Sequence, residues 1–288
     1  MIELDDVLEA RERVEGVARR TPLRHSPMFS KMTGADVHLK IEAFQRTGAF
    51  KIRGATNRIH TLTEAERAAG VVTASAGNHA QGVSLAATRA GVDAKIVMPE
   101  HAPVSKVQAT EYYGGEVVLH GIDYDEAEER AHEIAREEGR TYVHAFDDPD
   151  VMAGQGTLGL EVAEDLPEVD TVVVPIGGGG LIGGVATAIK GRTGARVVGV
   201  QAEGAASVAP SLRKGERREL DSVETIADGI AVRQVGELPF EVIEERVDEV
   251  VTVSDPEIAV ALMYALERAK VLLEGAGAVP LAAVLGGA

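Results

Sequence analysis

The segment Gly48-Ala49-Phe50-Lys51-Ile52-Arg53-Gly54 sets a lysine between two apolar side chains and brackets it with glycines. Partial desolvation by such neighbours disfavours the ammonium form and lowers the pKa. A neutral lysine amine is a nucleophile that can form a Schiff base with an aldehyde or ketone. Two further segments read as anion cradles. Pro175-Ile176-Gly177-Gly178-Gly179-Gly180-Leu181-Ile182-Gly183-Gly184 follows a strand pattern and opens a helical one. Consecutive glycines let backbone N–H groups converge on an anion, and a helix N-terminus adds its positive dipole end. Ser75-Ala76-Gly77-Asn78-His79-Ala80-Gln81 makes a second strand-to-helix junction, with a hydroxyl and an amide beside its N–H groups. Each segment also has a structural reading: a surface lysine, a flexible turn, an N-capped helix.

The glycine loop alone leaves its ligand open. Gly178, Gly180 and Gly183 satisfy the dinucleotide pattern G-x-G-x-x-G, and Glu203 follows about 20 residues later, where a ribose-binding acid belongs. A nicotinamide- or flavin-dependent dehydrogenase is therefore a rival reading. A reactive lysine plus two separate cradles exceeds what a dinucleotide site needs. It suits a phosphate-bearing aldehyde cofactor acting on an amino acid that brings its own carboxylate.

These residues need a scaffold, and the pattern around them is α/β. β-Branched runs at 71–74, 94–99, 116–120 and 141–145 alternate with helical patterns at 78–89 and 124–138. A second set places strands at 171–176 and 196–201 with a helix between them. Asp255-Pro256 starts a long amphipathic helix to about Leu273. The alternation predicts two doubly wound lobes with mostly parallel sheets, divided near Asp147-Asp148-Pro149-Asp150.

With 288 residues and 45% hydrophobic content, the chain can bury a large core. No apolar run is long enough to cross a bilayer, and the acidic N-terminus does not resemble a signal peptide. No cysteine is present, which excludes disulfides and thiolate metal sites and fits a cytoplasmic protein. A net charge of −17 argues against a broad nucleic-acid-binding surface. Only eight of the 29 basic residues are lysine, a composition that suits a salt-rich cytoplasm of a halophile.

Phe50–Ala55, Ser75–Gln81, Ala153-Gly154-Gln155-Gly156-Thr157, Gly177–Gly180 and Glu274-Gly275-Ala276-Gly277-Ala278 occur in one order along the chain. Together they resemble the threonine ammonia-lyase (threonine dehydratase) and serine racemase family of fold-type II pyridoxal-phosphate enzymes, from about Thr21 onward. The resemblance implies a tryptophan synthase β-like fold. Residues 1–69 and 149–288 would form a large cofactor-binding domain, and 70–148 a small mobile domain that closes over the substrate. It implies that Lys51 carries pyridoxal 5'-phosphate as a Schiff base and, once released, removes the α-proton. Phe50 would lie beside the cofactor, Asn78 would bond its 3'-oxygen, and Gly177, Gly178, Gly179 and Gly180 would hold its phosphate. Ser75, Asn78 and His79 would bind the substrate carboxylate. Gly229 would lie near the ring, and Glu274 would approach from the long C-terminal helix.

The implied reaction is β-elimination from L-threonine, and from L-serine, giving 2-oxobutanoate or pyruvate plus ammonia, in amino-acid metabolism such as isoleucine biosynthesis. The alternative within the fold is an amino-acid racemase. Family racemases carry a serine immediately before the Gly-Asn pair, and Ala76 stands there. A homo-oligomer acting on a small amino acid is expected, without nucleic acid or membrane partners. No metal is expected, because Glu203 is followed by Ser207, Val208 and Ala209 where metal-binding members carry acids. The family continues into a strand and a Ser-Gly-Gly-Asn-like turn, so a chain ending at Ala288 is expected to bind cofactor but turn over weakly. His25, His38, His60, His101, His120, His132 and His144 show no ligand spacing and read as surface or core residues. Asp125, Glu126, Glu128 and Glu129 read as a solvated helix face.

Overall fold

The computed structural model describes residues 1–287. Strands β1 (Leu23–His25) and β2 (His38–Lys40) form an antiparallel pair. Strands β3 (Val71–Ala74), β4 (Ala94–Met98), β5 (Glu116–Leu119) and β6 (Thr141–Tyr142) form a parallel sheet in the order β5-β4-β3-β6. Strands β7 (Thr171–Pro175), β8 (Arg196–Ala202) and β9 (Glu249–Val253) form a second parallel sheet in that order. Alternation along each strand feeds cores on both sheet faces, as a parallel sheet covered by helices requires. In the first sheet Val71, Ile96 and Met98 join one cluster, while Val72, Ala74 and Val97 join another. In the second, Val197 packs with Ile182 and Ile189, and Val200 packs with Ala278 and Val279.

The helix Lys51–His60 is wedged between the two halves, against the helices Asn78–Ala90 and Pro149–Asp165. Glycine makes that wedge possible. A Cβ at Gly54 would fall 2.6 Å from the Val151 carbonyl oxygen, and one at Gly154 would fall 2.6 Å from the Gly54 Cα. The 153–157 motif therefore serves helix packing. Arg53 is fully buried in the same wedge. Its guanidinium bonds Glu42 at 2.9 Å and Glu161 at 2.7 Å, and Lys40 reaches Glu161 at 2.6 Å.

Two expectations need correction. The strand expected over 141–145 ends its ladder at Tyr142, after which the chain bends so that Phe146 and Asp147 direct their N–H groups at the His144 ring. The single C-terminal helix expected to Leu273 is two. Ser254 and Glu257 form a capping box that starts Asp255–Tyr264, and a wide π-type turn follows over Ala265–Ala269. Lys270 then adopts φ +58°, which ends the helix, and a separate helix runs from Gly275 to Gly286. Among the described residues the outer edge of β7 has no strand partner; with β2 it walls one end of a large cleft. No helix of the described residues is long and apolar enough to cross a membrane.

Candidate active site

Lys51 is the first residue of its helix, with Phe50 at the N-cap. Its Nζ donates to the Ala145 carbonyl at 2.8 Å and lies 5.5 Å from the centre of the Phe50 ring. Burial pushes the amine down to about 8, against an opposing pull from the Glu274 carboxylate. Ile52, the other apolar flank, is fully buried with Ile59 and Val83 in the core of the first sheet. Phe50 is the flank that touches the amine's surroundings.

Gly177–Gly179 make the bend from β7 into the helix Gly180–Arg192, with Gly179 in the left-handed region at φ +91°. Among the described residues the backbone N–H groups of Gly177, Gly178, Gly179, Gly180 and Leu181 meet no acceptor. Converging N–H donors at a loop-to-helix junction can receive an anion. Phe146 packs over the loop so closely that a Cβ at Gly178 would clash with its ring.

The second cradle lies across the cleft. Ser75 follows β3, and its Oγ accepts the Gly77 N–H at 3.1 Å. Gly77 caps the helix Asn78–Ala90 without a side chain, and the N–H groups of Asn78, His79 and Ala80 meet no acceptor among the described residues. The Asn78 amide donates to both carboxylate oxygens of Glu274 at 2.9 Å, so its NH2 is committed to that residue. Glu274 is the N-cap of the last helix rather than part of the long one, which corrects its expected placement. Gly229, in the turn Asp228–Ile230, backs onto it: a Cβ there would lie 3.5 Å from Glu274 Oε1. His79 is 3% exposed, and its Nε2–H donates to the Val143 carbonyl at 3.0 Å. Burial drives its pKa to about 3, so the ring is neutral. The ring braces the helix against the end of β6; the backbone N–H is the group free to meet a ligand.

Lys51, Phe50, both cradles, Gly229 and Glu274 all line one cleft of about 1570 Å³. Sequence reasoning missed two of its walls. His144 and Phe146 follow β6, and nothing in their spacing marks them. Glu128 accepts hydrogen bonds from Tyr124 and Tyr142 at 3.0 Å, so it is not part of a solvated face, whereas Asp125, Glu126 and Glu129 are exposed. Glu203 lies exposed on a short turn after β8.

A buried amine of lowered pKa sharing one cleft with five unsatisfied N–H groups fits a cofactor with an aldehyde at one end and a phosphate at the other. The second cradle leaves room for a carboxylate, so the site defines an enzyme that works on amino acids through a lysine-bound carbonyl cofactor. The family described as "Pyridoxal-phosphate dependent enzyme" matches residues 14–288, and the chain belongs to it. The chain is 52% identical over 286 residues to L-threonine ammonia-lyase of Thermotoga maritima, covering 99% of this chain and 71% of that protein. It is 48% identical over 287 residues to the catabolic L-threonine dehydratase TdcB of Escherichia coli, covering 99% of this chain and 87% of that protein. Its fold superposes on maize serine racemase with a TM-score of 0.96 at 39% identity, covering 98% of this chain and 86% of that one.

Proposed function

We propose that this protein deaminates L-threonine, and L-serine beside it, by β-elimination of water, giving 2-oxobutanoate or pyruvate and ammonia. The observation that carries this reading is the Lys51 amine, buried with its pKa pushed down to about 8, in the same cleft as the unpaired N–H groups of the tetraglycine loop. Relatives named for threonine deamination at about half identity support it.

Pyridoxal 5'-phosphate, when bound, supplies the carbonyl that captures the substrate amine and the electron sink that makes Cα acidic. Lys51 would hold it, with Gly177–Gly180 on its phosphate and Phe50, Asn78, Gly229 and Glu274 around its ring. Ser75 and the N–H groups of Asn78 and His79 hold the substrate carboxylate. The lowered pKa lets the Lys51 amine exist in its neutral form near neutral pH, where it takes the Cα proton. Loss of that proton and of the β-hydroxyl as water leaves an enamine, which hydrolyses off the protein to the oxo acid and ammonia.

Residues 70–148 act in this reading as a mobile domain that excludes water by closing on the substrate, and the Asn78–Glu274 bonds mark where it meets the rest. A chain without cysteine suits a cytoplasmic location, and a homo-oligomer is part of the same reading. The Escherichia coli relative is named a catabolic dehydratase, which favours a degradative role over isoleucine biosynthesis. Serine racemases share the fold, but Ala76 in the cleft wall has no proton to transfer to the face opposite the lysine. Purified protein loaded with the cofactor should convert L-serine to pyruvate faster than to D-serine and should release 2-oxobutanoate from L-threonine. Faster formation of D-serine would reverse the assignment.

A further inference from the structure

We propose that His144 is a specificity-determining residue of the cleft, whose Nε2–H donates a hydrogen bond to the β-oxygen of a hydroxyamino-acid substrate. This rests on the function proposed above. The chain turns back on itself after β6, and His144 Nδ1 accepts two backbone N–H groups, from Phe146 at 3.2 Å and from Asp147 at 2.8 Å. A ring nitrogen that accepts carries its lone pair outward, so the proton of the neutral ring sits on Nε2. Burial lowers the pKa of the ring and keeps it neutral.

Phe146 meets the ring edge-on at 4.6 Å and 90°, and Tyr142 packs at 6.2 Å and 65°. Turning the ring over would leave the Phe146 and Asp147 N–H groups facing a carbon instead of Nδ1. Nε2 has no hydrogen-bond partner among the described residues, yet it is not sealed from solvent. His79 makes the contrast, because its Nε2–H is already spent on the Val143 carbonyl.

His144 lines the same cleft as Lys51, and the carbonyl of its neighbour Ala145 holds the Lys51 amine at 2.8 Å. The fixed donor is therefore one residue away from the atom that touches the reacting amine. A small hydroxyamino acid brings three polar groups. Its amine goes to the cofactor carbonyl and its carboxylate to the N–H groups of the Ser75–Ala80 cradle. The oxygen on Cβ is left, and a donor with no accepting capacity selects for it.

Two substitutions separate the two ring nitrogens. His144→Asn keeps an acceptor near the Nδ1 position and loses the donor, whereas His144→Gln keeps a donor near the Nε2 position. The holoenzymes are compared on L-threonine and on β-chloro-L-alanine, whose carbon-bound chlorine is a poor hydrogen-bond acceptor. His144→Asn is expected to keep the wild-type melting temperature and cofactor absorbance. Its kcat/KM on L-threonine should fall by about tenfold or more, the scale of one lost hydrogen bond, with β-chloro-L-alanine little changed. His144→Gln should recover part of the loss. An equal fall on both substrates, or no fall on L-threonine, would overturn the proposal. So would a long-range 1H–15N spectrum showing His144 protonated on Nδ1. If wild-type holoenzyme acted on neither substrate, the proposed function itself would fail, and this reading with it.

Discussion

Replacing Lys51 with methionine should stabilise the cofactor-free protein, and by an amount that shrinks as pH rises. The folded chain holds this amine at about 8 against an ordinary value of 10.5. Below pH 8 the native protein must keep a charged group in a poorly solvated place. The difference between the two values corresponds to about 3 kcal/mol at pH 7. Between about pH 8 and pH 10.5 the unfolded chain binds the proton and the folded one does not, so the wild type gains stability as pH rises and the penalty fades. At pH 9 about 2 kcal/mol of it should remain. Urea titrations of both apoproteins at pH 7 and pH 9 measure this directly, with the wild type as its own control for every other titrating group. The variant should be the more stable at both values, with a gap about 1 kcal/mol smaller at pH 9. A gap independent of pH, or a variant less stable than wild type, would show that the amine is not held at a depressed pKa. The argument for its role as a base would then lose its physical support.

Arg53→Met should destabilise the fold by about 3–5 kcal/mol, because Glu42 and Glu161 would be left half-buried without their partner. Adding Glu42→Gln and Glu161→Gln should recover part of that loss in the same urea titration. Gly178→Ala should weaken pyridoxal-phosphate affinity, since its Cβ must displace the Phe146 ring, an overpacking cost of about 1–3 kcal/mol. Combining it with Phe146→Ala should restore part of the cofactor absorbance at a fixed cofactor concentration. The surplus of 46 acidic over 29 basic residues should make the melting temperature rise with KCl between about 0.01 M and 1 M, as screening shortens from about 30 Å to about 3 Å. A flat curve would remove the halophile reading.

The local units of this fold are legible in the sequence because their determinants are local. The helix expected over 124–138 is found at Tyr124–Glu138, with Ala127, Ala131 and Ile134 buried on one face. The β3, β4 and β5 runs are found within a residue of their expected ends, and both glycine- and serine-bearing junctions turn strand into helix. What was not legible depends on contacts far along the chain. Arg53 looks like one more basic residue until Glu161 closes on it from 108 positions away. Glu128 looks solvated until Tyr142 crosses over it. The break at Lys270 needs a left-handed residue without glycine, which no turn propensity announces.

The lysine motif shows how one stretch of sequence answers two demands. Phe50 and Lys51 face the cleft, whereas Ile52, Arg53 and Gly54 bind the helix behind them to both halves of the molecule. Gly54 lets the Pro149–Asp165 helix approach, and that helix carries Glu161, which fixes Arg53. Any substitution that pushes these helices apart therefore moves the Lys51 backbone as well as the core. The two anion cradles stand at the ends of β3 and β7, in different sheets, and the lysine rides on the wedge between them. Glu274 completes the triangle by bonding Asn78 of one cradle while its charge opposes the fall in the Lys51 pKa. Rigid placement of the amine thus comes from packing, and its reactivity comes from the balance between burial and one carboxylate. A change at Glu274 should alter that reactivity without loosening the wedge, whereas a change at Gly54 should disturb both.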